Sequence, residues 1–164
     1  MGRLVKRSFR KKTYDLPSVE VDGGLTDHSD RNAPKVISCT KPVYFKCIVS
    51  TLALADAEEC EQGVFTFTAR LENGVVVASN ESRAEGFDFT APPTFMDELQ
   101  SIVAHYDLAQ FNGTSVHVSG LPDMYGAYLM VVYENGESIF ANDNQDCFIP
   151  SDAIALMLTL FKGE

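Results

Sequence analysis

Apolar and polar residues alternate most cleanly over Phe65-Thr66-Phe67-Thr68-Ala69-Arg70-Leu71-Glu72. A period of two buries one face of a strand and wets the other. Asn73-Gly74 follows, a pair suited to the two positive-φ positions of a type I′ turn, and Val75 to Ser79 returns. The same grammar recurs at Tyr128 to Glu134, Asn135-Gly136 and Glu137 to Ala141. In this second case Leu129, Val131 and Tyr133 alternate with Tyr128, Met130 and Val132. A strand apolar on both faces is expected at the sheet centre, covered on both sides. Upstream, Val36 to Cys39 and Val43 to Leu54 read as strands separated by Pro42, and Ala53 to Glu61 as a helical turn or a solvated loop.

Each hairpin is followed by a helical pattern. Pro92-Pro93 stops the chain, and Thr94 with Asp97 three residues on has the spacing of a capping box. Phe95, Met96, Leu99, Ile102, Val103 and Tyr106 then form one stripe at helical spacing. A last helix starts at Ser151, places Asp152 in its electropositive first turn and buries Ile154, Met157, Leu158 and Phe161. Both stripes read as core faces. The expected fold is α+β: a mainly antiparallel sheet of five to seven strands with two helices packed on one face. A ββα repeat is suggested by a constant offset of 62 residues, which sets Glu72-Asn73-Gly74 on Glu134-Asn135-Gly136 and Asn80 on Asn142.

Charge divides the chain. Arg3, Lys6, Arg7, Arg10, Lys11 and Lys12 fall in the first twelve positions, where there is no acid. That leaves seven cations and 23 acids in the other 152 residues, a net of −16 against −10 for the whole chain. Residues 1–34 therefore read as a basic arm and linker, with Pro17, Gly23-Gly24 and a polar run from Asp27 to Asn32, and one short extended piece at Ser18 to Val21. Residues 35–164 read as a single α+β domain. Its charge repels nucleic acid, so a role with DNA or RNA would rest on the arm alone. No stretch is long and apolar enough to span a membrane. Lys6-Arg7-Ser8-Phe9-Arg10-Lys11 has something of a twin-arginine signal, but the next residues, Thr13 to Pro17, are not apolar. Cys39, Cys47, Cys60 and Cys147 contain no C-x-x-C pair, which suits reduced thiols in a cytoplasm.

Local catalytic motifs are missing: no phosphate loop, no zinc spacing, no nucleophile elbow. His117 with Cys147 is the one conceivable base and nucleophile. A two-residue turn at Asn135-Gly136 pairs Glu134 with Glu137, and the register continued outward sets Asn142 opposite Leu129 and Asn144 opposite Ala127. The open end of the hairpin then gathers Asp123, Tyr125, Asp143, Asn144 and Asp146 as candidate ligand residues, all with oxygen donors. No cofactor is called for, although such a loop could hold a divalent cation. Asn142-x-Asn144-x-Asp146 opens like a calcium loop but lacks its turn glycine and its closing glutamate.

The stretch GLPDMYGAYLMVVYENGESIFANDNQDCFIPSDAIALMLTLF, Gly120 to Phe161, resembles the C-terminal part of small bacterial proteins of unknown function. The likeness implies a bacterial origin and brings no activity with it. The expected function is a non-catalytic cytoplasmic binding or interaction module with a protein or small-molecule partner. The alternative is a metal-assisted hydrolase, or a small-ligand or cation sensor, using the acidic loop.

Overall fold

The structure, a computed structural model, describes residues 24–50, 63–82, 85–121 and 125–163. The basic arm, the extended piece at Ser18 to Val21, the segment Ala53 to Glu61, Cys60 and Asp123 lie outside the described residues.

Eight strands form one sheet: β1 (Leu25–Asp27), β2 (Pro42–Ser50), β3 (Val64–Glu72), β4 (Val75–Glu81), β5 (Gly86–Ala91), β6 (Ser115–Val118), β7 (Ala127–Tyr133) and β8 (Ser138–Asp143). Helix α1 (Phe95–His105) precedes β6, and α2 (Ser151–Leu160) ends the chain. The spatial order is β1-β6-β8-β7-β2-β3-β4-β5. Every pairing is antiparallel except β6 with β8, so the α+β sheet is mixed. The count exceeds the expected five to seven because short strands such as the three-residue β1 carry no periodic signal of their own. β1 lies within the stretch read as arm and linker, yet it pairs with β6 from Leu25 to Asp27.

Both helices pack on one sheet face. Phe161, just past α2, meets Phe45 of β2 and Phe67 of β3 at ring-centroid distances of 6.3 and 4.9 Å, and Phe95 of α1 edge-on at 5.0 Å. All four rings are buried. Removing one such ring would cost about 3–5 kcal/mol. The stripe of α1 is buried at Phe95, Met96, Leu99, Ile102 and Val103, and α2 buries Ala153, Ile154 and Met157.

Three local expectations change. Val36 to Cys39 is not a strand: the Ser38 and Cys39 amides donate to the Glu137 carboxylate at 3.2 and 2.8 Å rather than to a neighbouring strand. Thr94 occupies the N-cap position with helical backbone angles (φ −78°, ψ −8°) and makes no side-chain cap bond. Its hydroxyl goes to Glu98 Oε1 at 3.2 Å instead. An N-cap side chain reaches the first amides from an extended backbone, which Thr94 does not have.

The largest correction is the second hairpin. Asn73 and Gly74 both have positive φ (51° and 80°), so the first turn is type I′ and Glu72 pairs with Val75. At the second turn Gly136 has φ 89°, but Asn135 is not among the positive-φ residues. The Gly136 amide donates to Tyr133 O at 3.0 Å, and the Tyr133 amide to Glu137 O at 2.9 Å. These bonds define a three-residue loop, a type I turn followed by a left-handed glycine bulge. Pairing therefore shifts by one: Asn142 faces Tyr128 rather than Leu129, and Asp143 rather than Asn144 faces Ala127.

The shift also sets handedness. β3 and β7 flank β2, both antiparallel to it, and so run parallel to each other. Their partners β4 and β8 lie on opposite sides, while both hairpins bury the same sheet face. No rotation superposes two such units, so the offset of 62 does not extend to a superposable ββα repeat.

Candidate functional site

Of the residues expected at the open end of the second hairpin, Tyr125 is 47 % exposed and Asp146 is exposed. Asp143 Oδ1 accepts the amides of Gln145 and Asp146 at 2.9 and 3.0 Å, which fixes the turn leaving β8. Asn144 is buried, and its side chain extends the sheet like a piece of backbone. Oδ1 accepts the Val118 amide at 2.8 Å and Nδ2 donates to Val118 O at 2.9 Å. Gly126, just before β7, lies against the end of β8. A Cβ there would lie 2.0 Å from Asp143 O and 2.5 Å from Asn144 backbone atoms.

Asp143 and Asn144 border a cavity of about 210 Å³ together with His117, Tyr128, Asn142 and Ser50, whereas Tyr125 and Asp146 are not in its lining. Among the described residues, no three His, Cys, Asp or Glu side chains gather where one ion could bind them. A larger cavity of about 560 Å³ lies beside β8, between Phe140, Ser138, Ser115, His28 and Asn112. Asn112 is buried and fully engaged, with Oδ1 accepting the Phe140 amide at 2.8 Å and Nδ2 donating to Pro34 O at 2.8 Å. The Lys35 ammonium donates to the Asn112 carbonyl, tying the segment before β2 to the same point.

At the other end of the hairpin, Asn135 Nδ2 donates to Glu137 Oε2 at 2.8 Å, and the Cys39 and Ser38 amides complete the set. Those donors pull the Glu137 carboxyl from its ordinary 4.5 down to about 2. The thiols differ. Burial pushes Cys47 and Cys147 upward, away from thiolate. Cys147 donates weakly to Ile149 O at 3.6 Å, a resting contact rather than an activated nucleophile.

The sheet face turned away from the helices was missed. Register places Tyr44, Lys46 and Ile48 of β2 on it, beside Tyr128, Met130 and Val132 of β7 and then Phe140 of β8. Tyr128 and Phe140 meet edge to face at 5.6 Å, and the Lys46 ammonium lies 5.8 Å from the Tyr128 ring centroid. These side chains are half-buried, except Phe140 at 39 % exposure. The apolar second parity of β7 was the signal. It marks a surface, since both helices pack on the other face.

Comparisons of the chain with family models, curated proteins and solved structures return no match. Among the described residues, no helix is long and apolar enough to cross a membrane.

Proposed function

We propose that the protein is a non-catalytic interaction module that binds a protein partner on the helix-free face of its sheet. One observation carries this reading: Tyr44, Ile48, Tyr128, Met130, Val132 and Phe140 lie contiguously on a face that neither helix covers. Contiguous apolar surface of this kind marks recognition sites in soluble proteins. Two of the candidate residues at the hairpin end support the reading, because they are engaged in holding the fold. Asp143 and Asn144 bind backbone, and Cys147 is held as a thiol. No observation favours the hydrolase or cation-sensor alternative. A cytoplasmic setting suits Cys39, Cys47 and Cys147, which are free thiols.

A photo-crosslinking side chain placed at Phe140 and, separately, at Leu156 on the outer side of α2 tests the surface in cells that make the protein. Discrete adducts from position 140 that disappear with Met130→Glu are expected, with none from position 156. Adducts from position 156 alone, or from neither position, would refute the assignment.

A further inference from the structure

We infer that the helix-free face receives an acidic segment of its protein partner, with a carboxylate seated on Lys46 between apolar side chains on Tyr128, Met130 and Phe140. This rests on the interaction-module reading and names the chemistry of the partner. Lys46 sits at the middle of the face, with Thr68 and Met130 as its lateral neighbours and Tyr44 and Ile48 along its own strand. It is half-buried, and its contact is with the face of the Tyr128 ring. No carboxylate lies within ion-pair distance of it among the described residues, although the chain has 23 acids. The neighbouring cation on this face, Arg70, is already held by Glu72. A lysine whose ammonium lies over the Tyr128 ring, with no counter-ion among the described residues, gains from a carboxylate that arrives with its own apolar flanks.

Other occupants fit less well. Among the described residues of this face, nucleic acid would meet one cation without an ion pair, with Glu81 and Asp88 on the far strands of the same face, on a chain of net charge −10. A small molecule needs enclosure, and Lys46 lines neither of the cavities bordering this face. The protein's own arm is cationic, so Lys46 repels it.

The probe is an acetylated, amidated heptapeptide, Thr-Phe-Thr-Asp-Thr-Phe-Thr, titrated into the ¹⁵N-labelled full chain, with Asn-centred and Lys-centred versions as controls. Amide shifts centred on Lys46, Tyr128, Met130 and Phe140 are expected, with the Asp peptide about fivefold tighter than the Asn peptide and the Lys peptide weakest. Lys46→Gln should abolish that order while Lys46→Arg retains it, and both variants should keep the wild-type amide spectrum elsewhere. Equal affinity for the three peptides, a preference that survives Lys46→Gln, tighter binding of octathymidylate, or no shifts at millimolar peptide would each overturn the inference. If crosslinks from position 140 persist in that event, the interaction surface stands and only the acidic partner falls.

Discussion

The two hairpins share the sequence Glu-Asn-Gly at their turns and fold it differently. In the first, both Asn73 and Gly74 are left-handed and the loop has two residues; in the second, only Gly136 is, and the loop has three. Surroundings decide the difference. The first turn is exposed, and Glu72 pairs with Arg70 on its own strand. The second is gripped by the segment before β2: Glu137 accepts the Ser38 and Cys39 amides, and the Glu134 amide donates to Lys41 O at 2.9 Å. One residue of loop then reverses which strand positions point their hydrogen bonds at the hairpin partner. In β7 the core-facing positions bond β8, whereas in β3 they bond β2. The same tripeptide thus builds two hairpins of opposite hand around β2, and that is how one sheet face stays with the helices across both.

The comparison predicts its largest effect at the glycines that open each hairpin. Gly126→Ala must displace Asp143 O and the Asn144 backbone, so a loss of about 3 kcal/mol is expected in chemical denaturation. Gly63, just before β3, has nothing within 4 Å of a built Cβ, and Gly63→Ala should stay within about 0.5 kcal/mol. Equal losses at the two sites would show that the closeness at Gly126 is not real.

The turns come next. Asn73→Val puts a β-branched residue at φ 51° and should cost about 1–2 kcal/mol. Asn135→Val keeps an ordinary backbone and loses two exposed bonds, the Glu137 amide's to its Oδ1 at 3.0 Å and its own Nδ2's to Glu137 Oε2 at 2.8 Å, at about 0.5–1 kcal/mol. Gly74→Val and Gly136→Val should behave alike, because both glycines have φ between 80° and 89° and open space around them. A larger loss at Asn135 than at Asn73 would reverse the assignment of turn types.

What the sequence made legible follows from the same contrast. Period-two and helical stripes located both hairpins and both core faces, because burial acts on every second or fourth residue. Loop length at Asn135-Gly136 was not legible from the dipeptide, since Asn-Gly serves either turn. It was encoded in the strands: burying Ile139 and Ala141 together with Leu129 and Val131 requires the three-residue loop. β1 and the clamp from Asn144 to Val118 depend on partners distant in sequence, and no local pattern announces them. The helix-free face was half legible, as an apolar second parity on β7 taken for a buried one.

Acid should distinguish the turns through Glu137. Its folded-state pKa, about 2, lies below the ordinary 4.5, so its contribution to stability is whole above 4.5 and is lost as pH falls toward 2. Asn135→Asp replaces the side-chain amide that donates to Glu137 with a carboxylate. The side-chain ¹³C titration of Glu137 should then move upward, and the acid-dependent loss of stability should shrink, still starting near 4.5 but finishing at higher pH. Asn73→Asp should leave that limb unchanged. An unshifted Glu137 titration in Asn135→Asp would show that the Ser38 and Cys39 amides suffice alone.

The smallest effect is expected where a cation would bind, at the open end of the second hairpin. Asp143 already directs Oδ1 at two amides, and Asn144 has both side-chain atoms on Val118, so without opening the loop an ion would find only Asp143 Oδ2 from this pair. An ion that binds only the folded state raises the melting temperature, by about 2.7 kcal/mol of stability at a hundredfold excess over Kd. Titrating Ca²⁺, Mg²⁺ and Mn²⁺ to millimolar should therefore leave Tm unmoved. Asp143→Asn keeps an Oδ1 acceptor and exchanges charge-assisted bonds for neutral ones, a change of about 1 kcal/mol. The decisive measurement is the pair. A rise in Tm with one of these metals that vanishes in Asp143→Asn would make the loop a cation site after all, and Asp143 its ligand rather than its brace.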